Sequence, residues 1–259
     1  MHVLGLDVGS ASSKVVILDE NKNIVSSSVF QVGTGSSGPA RALDEALGKL
    51  SLSLDDMEKI VATGYGRYAF ERADKQISEI SCHAKGIFHL IPTARTIIDI
   101  GGQDAKAIRL DGSGMVSQFF MNDKCAAGTG RFLEVMARVL EISIDELEEY
   151  DSKATEVVNV SSTCTVFAES EVISHLSNNV PKENIIAGIH ASVASKACGL
   201  AYRTGLEDDI VMSGGVAQNA GVVRAISREL RRPVIVAPNP QIAGALGAAL
   251  FAYDEAKKH

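Results

Sequence analysis

The sequence has no tryptophan, only six prolines and only 5% aromatic residues, whereas 46% of its 259 residues are hydrophobic. Such a composition supports a packed core and excludes a disordered or fibrous chain. No apolar run approaches the ~18–20 residues of a membrane helix, and the segment MHVLGLDVGS has Asp7 within its apolar stretch and no basic leader. The net charge of −7 comes without a cluster of Lys or Arg, so neither nucleic-acid nor membrane-surface binding is expected. The sequence therefore predicts a cytoplasmic protein of one or two domains.

Cysteines are few, and no two of them form a CxxC pair. Because a cytosolic chain is not expected to form disulfides, packing, metal binding or redox chemistry remain as their roles. Cys82 and Cys198 lie within helical runs and are predicted to be buried small hydrophobic residues. Cys125 and Cys164 each precede a helical pattern, where the positive end of the helix favours a thiolate and thus metal ligation. A zinc or cubane iron–sulfur site commonly takes four thiolates, so a symmetric dimer would supply two from each chain.

An internal repeat is the most informative feature of the chain. Residues 4–19 read LGLDVGSASSKVVILD, and residues 96–111 read TIIDIGGQDAKAIRLD. With a shift of 92 positions, an Asp, a Gly and a Lys recur in step, the Asp being Asp7 and Asp99. Each copy reads as a β-hairpin with a carboxylate at the mouth of its turn, so the repeat predicts two similar half-molecules.

Strands and helices alternate along the rest of the chain, which predicts an α/β fold. The predicted strand segments are 25–32, 58–66 with a glycine turn at its end, 208–215 with two glycines at its end, and 232–238, and the predicted helices are 40–50, 130–141, 166–176, 183–205 and 244–256. Two of these helices have an apolar face at helical spacing, formed by Phe132, Met136, Val139 and Leu140 in one and by Val166, Ile173 and Leu176 in the other.

The segment DVGSASSK (7–14) has the features of a phosphate-binding loop, although the Walker A pattern is absent from the whole sequence. Gly9 lets the backbone approach a phosphate, the serines offer hydroxyls, and Lys14 supplies a positive charge. Asp7 could hold Mg²⁺ through water, since this ion keeps much of its hydration shell. The alternative for this segment alone is a polar hairpin turn without a ligand.

Two further segments favour the ligand-binding interpretation. In DIGGQDAK (99–106), the second copy, Gln103 and Asp104 could position an attacking water, as such residues do in phosphoryl transfer. In VMSGGVAQN (211–219), a strand ends in Gly214 and Gly215, where a base and ribose could lie on the backbone. The three segments together predict a nucleotide site.

The segment GTGSSG (33–38) matches the GxGxxG pattern of dinucleotide-binding proteins and is the main competing motif. It does not follow the first strand of the chain, and Asp55 and Asp56 precede the next strand rather than ending it. We therefore interpret it as a loop outside any NAD site. His83 and His175 stand alone and are interpreted as surface or core residues rather than metal ligands.

These residues carry a resemblance to a known family. The Asp-x-Gly hairpins and the Gly-Gly segment resemble the acetate and sugar kinase, Hsp70 and actin ATPase superfamily. The strings ATGYGR, ADKQISEISCHAKG, IDIGGQDAK, MNDKCAAGTGRFLEVMA, SSTCTVFAESEVIS and GGVAQN resemble, more narrowly, the ATPase activators of 2-hydroxyacyl-CoA dehydratases and the related benzoyl-CoA reductase ATPase subunits. The resemblance covers essentially the whole chain.

The resemblance implies an actin-like (ribonuclease H-like) ATPase fold with two similar halves around a nucleotide cleft, the first formed by 1–94 plus 243–259 and the second by 95–242. It also implies a homodimer with one bridging [4Fe–4S] cluster, held by Cys125 and Cys164 of each subunit. ATP hydrolysis would drive one low-potential electron into an iron–sulfur partner, either a dehydratase or a double-cubane cluster protein. Ferredoxin or flavodoxin would be the electron donor, under anaerobic conditions.

The residue patterns themselves predict Asp7, Gln103 and Asp104 as catalytic, with Asp7 and Asp99 holding Mg²⁺ through water. The resemblance adds the contacts to the nucleotide. The implied contacts to ATP or ADP are Gly9, Ser10, Ala11, Ser12, Ser13, Lys14, Gly101, Gly102, Gln103, Gly214, Gly215 and Gln218.

Two other functions are compatible with the nucleotide motifs. A small-molecule kinase of the same superfamily would have structural cysteines, a substrate pocket and a phosphorylated product. An actin-type filament protein would polymerise on ATP. A brown anaerobic preparation containing iron and acid-labile sulfide would distinguish the electron-transfer ATPase from both.

Overall fold

The computed structural model describes residues 1–161 and 163–258 and divides them into two compact units. The first unit comprises Met1–Ala94, Leu110–Ser117 and the C-terminal residues from Ala237 on. The second comprises Arg95–Arg109 and Gln118–Val236. Each unit is built around one sheet and has its own buried core.

The elements follow the α/β alternation that the sequence predicts. The strands are β1 (Val3–Val8), β2 (Ser13–Leu18), β3 (Ile24–Phe30), β4 (Lys59–Thr63), β5 (Lys75–Gln76), β6 (Thr96–Ile100), β7 (Ala105–Leu110), β8 (Val116–Asn122), β9 (Ile210–Ser213) and β10 (Val234–Val236). The helices are α1 (Gly38–Gly48), α2 (Glu79–Leu90), α3 (Gly130–Val139), α4 (Leu147–Ser152), α5 (Thr165–Ser177), α6 (Lys182–Thr204), α7 (Ala220–Leu230) and α8 (Ala243–Ala256).

Both sheets have the same topology. The first sheet has the order β3-β2-β1-β4-β5, and the second, read in the same direction, has the order β8-β7-β6-β9-β10. In each, the first strand of the hairpin pairs antiparallel with the second and parallel with a later strand of the chain. The repeated hairpins are therefore the same element of two similarly built sheets, as the internal repeat predicts.

The longest helix, α6, lies in the core of the second unit. By length and composition alone it is apolar enough to cross a membrane, a test that the core helix of a globular protein also meets. Two thirds of its most apolar stretch is nevertheless buried within the protein, as in the core helix of a globular domain. Gly205 ends it in the left-handed region at φ 78°, where a glycine carries no steric cost.

The helix after Cys164 differs from its prediction. Along α5, Val166 and Ile173 are 65% and 49% exposed, and the buried side chains are Ala168 and Val172. Of the predicted apolar face of α5, Leu176 packs against the core of the second unit, whereas Val166 and Ile173 are exposed, because helical spacing identifies an apolar stripe but not what covers it. In α3, by contrast, Phe132 and the other predicted core residues pack inward.

Candidate nucleotide and thiol sites

The turn of the first hairpin places a carboxylate and an ammonium group side by side. Asp7 on β1 is in register with Lys14 on β2, and the Lys14 Nζ lies 3.2 Å from Oδ2 of Asp7. A hydrogen bond of 3.0 Å from the Gly9 amide to the Ser12 carbonyl closes the four-residue turn. This turn, with its half-buried serines Ser10 and Ser12, is the part of the hairpin that a ligand can reach.

One of the predicted phosphate contacts faces inward. Ser13 is fully buried, and its hydroxyl donates a 2.9 Å hydrogen bond to the carbonyl of Val32. Ala11, also among the predicted nucleotide contacts, is half-buried within the turn. The turn therefore offers the hydroxyls of its other two serines, together with backbone amides, as groups for a ligand.

The second hairpin repeats this geometry. Asp99 on β6 is in register with Lys106 on β7, at 3.1 Å between Oδ2 and Nζ, and the Gly101 amide donates a 2.9 Å bond to the Asp104 carbonyl. The main difference is that Asp104 also contacts Lys106, at 2.5 Å. Since one ammonium group faces two carboxylates here, the cluster retains a negative charge that suits a hydrated cation such as Mg²⁺.

The two residues predicted to orient water have different surroundings. Asp104 is 7% exposed and is paired with Lys106, whereas Gln103 lies exposed at the tip of the turn. Gly102, beside it, accepts a 2.8 Å hydrogen bond from the backbone of Arg131 at the start of α3. Gln103 is therefore the one of the pair whose side chain can reach a ligand directly.

The repeat extends to a third strand in each sheet, which the comparison of residues 4–19 with residues 96–111 missed. Asp7 is in register with Thr63 on β4, and Asp99 with Ser213 on β9. The Ser213 hydroxyl donates a 2.7 Å hydrogen bond to Asp99. A hydroxyl residue followed by glycine is the shared signal, in ATG and MSG, but it is too short to be recognised without the strand pairing.

Gly214 follows β9 directly, in a conformation that only glycine adopts freely. Its φ is 85°, and a Cβ at this position would lie 2.3 Å from the Ile100 carbonyl oxygen. A 3₁₀ turn, Gly215–Gln218, follows, in which Gly215 and Gln218 are exposed while the two residues between them are buried. Of the residues predicted to contact a base and ribose, Gly215 and Gln218 are therefore exposed, whereas Gly214 is buried.

The GxGxxG segment lies against the first hairpin rather than in a dinucleotide fold. It follows β3, which pairs antiparallel with β2, so no parallel βαβ unit precedes it. The Thr34 amide donates a 2.9 Å hydrogen bond to the Gly9 carbonyl. The segment therefore supports the turn of the first hairpin, and the dinucleotide alternative has no structural basis.

The predicted cluster ligands are two half-buried free cysteines of the second unit. Cys164 is the N-cap residue of α5, whereas Cys125 lies five residues before α3 begins at Gly130. Asn122, which the sequence analysis did not single out, fixes the backbone of Cys125: its side chain accepts from the Cys125 amide at 3.2 Å and donates to the Cys125 carbonyl at 2.8 Å. Within the described residues, no group of three His, Cys, Asp or Glu side chains converges as a metal site.

The other two cysteines are in a different environment. Cys82 on α2 and Cys198 on α6 are 0% and 1% exposed. Burial raises the pKa of both thiols to about 12, so they stay protonated at neutral pH. Metal ligation requires the thiolate, and these residues instead pack as small hydrophobic groups.

The architecture of two similarly built sheets defines the class of protein. A glucokinase of the ROK family from Streptomyces griseus, solved with glucose and AMPPNP, matches with a TM-score of 0.59 over 98% of this chain and 100% of that one, at 13% identity. At this identity the likeness shows the fold alone. The chain has the actin-like ATPase fold, as predicted.

The family follows from the sequence comparison. Residues 4–252 match the model of the BadF/BadG/BcrA/BcrD ATPase family, and the chain belongs to this family. An activator of lactoyl-CoA dehydratase from Anaerotignum propionicum is 70% identical over 258 residues, which cover 100% of both chains. The predicted family resemblance is thus confirmed.

Two solved structures are similar to the whole chain. The activator of 2-hydroxyisocaproyl-CoA dehydratase from Clostridium difficile, with bound ADPNP, has a TM-score of 0.96 and 55% identity over 100% of this chain and 96% of that one. Component A of the (R)-2-hydroxyglutaryl-CoA dehydratase from Acidaminococcus fermentans has a TM-score of 0.95 and 53% identity over 99% of both. The nucleotide bound to the first of these relatives agrees with the nucleotide binding predicted for this ATPase.

Proposed function

We propose that this ATPase is a reductive activator of a 2-hydroxyacyl-CoA dehydratase, which couples ATP hydrolysis to the transfer of one low-potential electron. The observation that carries the proposal is the 70% identity, over the full length of both chains, to an activator of lactoyl-CoA dehydratase. A sugar kinase function is less well supported, because the kinases share only the fold, at 13% identity for the glucokinase.

We propose that both hairpin turns and the turn after β9 bind ATP or ADP. Lys14 would meet the phosphates, Asp7 and Asp99 would hold Mg²⁺ through water, and the exposed turn Gly215–Gln218 would contact the adenosine. The buried Asp99–Lys106–Asp104 cluster supports this, because its excess of carboxylate favours a hydrated cation.

We propose that Cys125 and Cys164 of two chains hold one [4Fe–4S] cluster in a homodimer. Each chain offers two half-buried free cysteines, whereas such a cluster takes about four thiolates. The exposed Val166, Phe167 and Ile173 on α5 support a second chain here, since apolar side chains that cluster at a surface mark interaction sites. When bound, such a cluster accepts and passes on a single electron.

The proposal also includes the electron acceptor, the electron donor and the cellular compartment of the protein. The electron acceptor would be an iron–sulfur dehydratase, with a double-cubane cluster protein as the alternative, and ferredoxin or flavodoxin would be the donor. Because acyl-CoA substrates and these donors are cytoplasmic, we place the protein in the cytoplasm of an anaerobic cell.

The function is tested by anaerobic reconstitution. The purified protein, a purified 2-hydroxyacyl-CoA dehydratase, a one-electron reductant and MgATP are expected to give dehydration of the acyl-CoA, whereas ADPNP in place of ATP gives none. A kinase would instead consume ATP in proportion to a phosphorylated small molecule. Dehydratase activity that is independent of this protein, or of ATP, would contradict the proposal.

Replacing Lys14 with alanine is expected to weaken ADPNP binding by about 1.5–3 kcal/mol, because a charge-assisted contact to phosphate is lost. Isothermal titration calorimetry measures the effect. The matched control is Lys49→Ala, which removes a half-exposed lysine of the same unit that is paired with Glu45. Unchanged affinity in the Lys14 variant would place this residue outside the nucleotide site.

Replacing Gln103 with alanine is expected to lower ATP turnover on the order of a hundredfold while the affinity for ADP is retained, because its exposed side chain is placed to orient water. Asp104→Asn is expected to act through Lys106 and to change both turnover and stability. Steady-state ATPase assays beside ADP titrations separate the two effects. Full turnover in both variants would show that another group orients the water.

A further inference from the structure

A histidine that belongs to neither the nucleotide turns nor the thiol site is buried in the second unit. His190 on α6 is 0% exposed. Its Nδ1 lies 3.0 Å from Oδ1 of Asp151, and its Nε2 lies 3.4 Å from the side-chain nitrogen of Asn219. Both ring nitrogens therefore face polar partners. The Asp151 carboxylate favours a donor at Nδ1, whereas the Asn219 side-chain nitrogen favours an acceptor at Nε2.

The charge state of Asp151 determines which ring nitrogen carries the proton. Burial favours protonation of Asp151, but the contacts with His190 and Arg224 outweigh it and hold the pKa of this carboxyl below its usual range. Arg224 lies 2.7 Å from Oδ2 of Asp151 and 2.8 Å from Glu148. Although the 3.0 Å contact between Nδ1 and Oδ1 lacks hydrogen-bonding geometry, the charge of the carboxylate favours the ring proton on Nδ1. Nε2, which faces the side-chain nitrogen of Asn219, is then left as the acceptor.

The ring in turn fixes the orientation of the Asn219 amide. Because Nε2 accepts, the amide nitrogen of Asn219 must face it, and the amide oxygen faces the start of α7. That oxygen accepts a 3.1 Å hydrogen bond from the Val222 amide and so caps the helix. The Asn219 backbone amide also donates to the Val216 carbonyl at 3.0 Å, within the proposed adenosine turn.

The space between the first turn of α7 and the side chains of His190 and Asp151 is too small for a larger residue. Gly221 lies in the first turn of α7, and a Cβ there would be 2.6 Å from Cε1 and Nδ1 of His190 and 3.0 Å from Oδ2 of Asp151. The first turn of α7 therefore rests directly on the histidine and aspartate side chains. A change in either side chain is transmitted to Asn219 and to the turn before it.

We propose that His190 is a positioning residue for nucleotide binding: held in its Nδ1–H tautomer by Asp151, it orients Asn219 and thereby the adenosine turn Gly215–Gln218. The inference rests on the proposed nucleotide site and adds a residue that does not touch the ligand. Such outer contacts, which select a tautomer and orient the next side chain, are typical of functional histidines.

The decisive variant is Asp151→Asn in the full-length protein. Because Arg224 can only donate, the new amide turns its oxygen to Arg224 and its nitrogen to His190. The ring must then carry its proton on Nε2, which forces the Asn219 amide to reverse and to give up the helix cap. ADPNP affinity is expected to fall about fivefold, the equivalent of one lost cap.

The matched control is Glu148→Gln, which alters the other acidic partner of Arg224 but leaves Asp151 in place. Two measurements are made on each protein: the ¹⁵N chemical shifts of the histidine ring, which report the tautomer, and calorimetric ADPNP affinity. An Nδ1–H tautomer in the wild type and in Glu148→Gln, with an Nε2–H tautomer and weaker binding in Asp151→Asn, supports the inference.

Three results would overturn it: an Nε2–H tautomer in the wild type, a tautomer switch with affinity unchanged, or weaker binding without a switch. If Asp151→Asn fails to fold, His190→Gln and His190→Asn replace it. Glutamine keeps an acceptor near the Nε2 position, and asparagine keeps only the donor near Nδ1, so higher affinity in the glutamine variant is expected and the reverse order overturns the inference. A wild type that binds no ADPNP refutes the proposed nucleotide site, and with it this inference.

Discussion

Replacing Cys164 with serine is expected to remove the iron and acid-labile sulfide from the anaerobically purified protein and to abolish electron transfer, while ADPNP binding is retained. A serine hydroxyl is a poor iron ligand, and a cluster bridging two chains would lose two of its about four ligands at once. Cys125→Ser is expected to give the same result. Iron and sulfide analysis beside calorimetry measures both properties.

The matched controls are Cys82→Ser and Cys198→Ser. Both thiols are buried and have a pKa of about 12, so neither is expected to act as a ligand, and iron content is expected to stay at the wild-type value. Size-exclusion chromatography tests the bridging itself. A monomer that keeps a full cluster, or a Cys164→Ser dimer that keeps about four irons, would contradict a cluster shared between two chains.

Replacing Lys106 with methionine is expected to lower the free energy of unfolding by about 3–5 kcal/mol. The reason is that the buried carboxylates of Asp99 and Asp104 then lose the ammonium group that faces both of them. The Lys106 side chain is 3% exposed and faces both Asp99 and Asp104. Urea denaturation measures the loss. Adding Asp104→Asn to this variant is expected to recover part of the stability, since one of the two uncompensated carboxylates is then neutral.

The internal repeat supplies the control for this prediction. Lys14→Met removes the equivalent lysine of the first hairpin, whose side chain is 16% exposed and faces one carboxylate at 3.2 Å. Water reaches this pair more easily, so the expected loss of stability is smaller. Equal losses in the two variants would show that burial of the second pair carries no additional cost.

The repeat could be recognised from sequence because its signals are local. An apolar strand, an Asp, a glycine turn and a Lys recur in step, and the hairpins fold with Asp7 opposite Lys14 and Asp99 opposite Lys106. The register of a hairpin depends on its turn and on alternation of side chains, both of which are written in consecutive residues.

Neither the direction in which a side chain points nor the element that packs against it could be predicted in the same way. Ser13 turns to the Val32 carbonyl, 19 positions away, and Val166 is exposed. The direction of a side chain depends on groups that are distant in sequence, and its exposure depends on whether another element packs against it. Helical and strand periodicity describe which residues share a face, but not what lies against that face.

The sequence by itself determined the α/β class, the repeated Asp-Gly hairpins, the two cysteines set apart from the buried pair, and the family. Tertiary structure alone brought Ser213 to Asp99, and Asp151 and Asn219 to His190, across 114, 39 and 29 positions of the chain. The physical reason is that hydrogen-bond partners of buried polar groups are selected by packing of whole elements, which no local pattern of residues records.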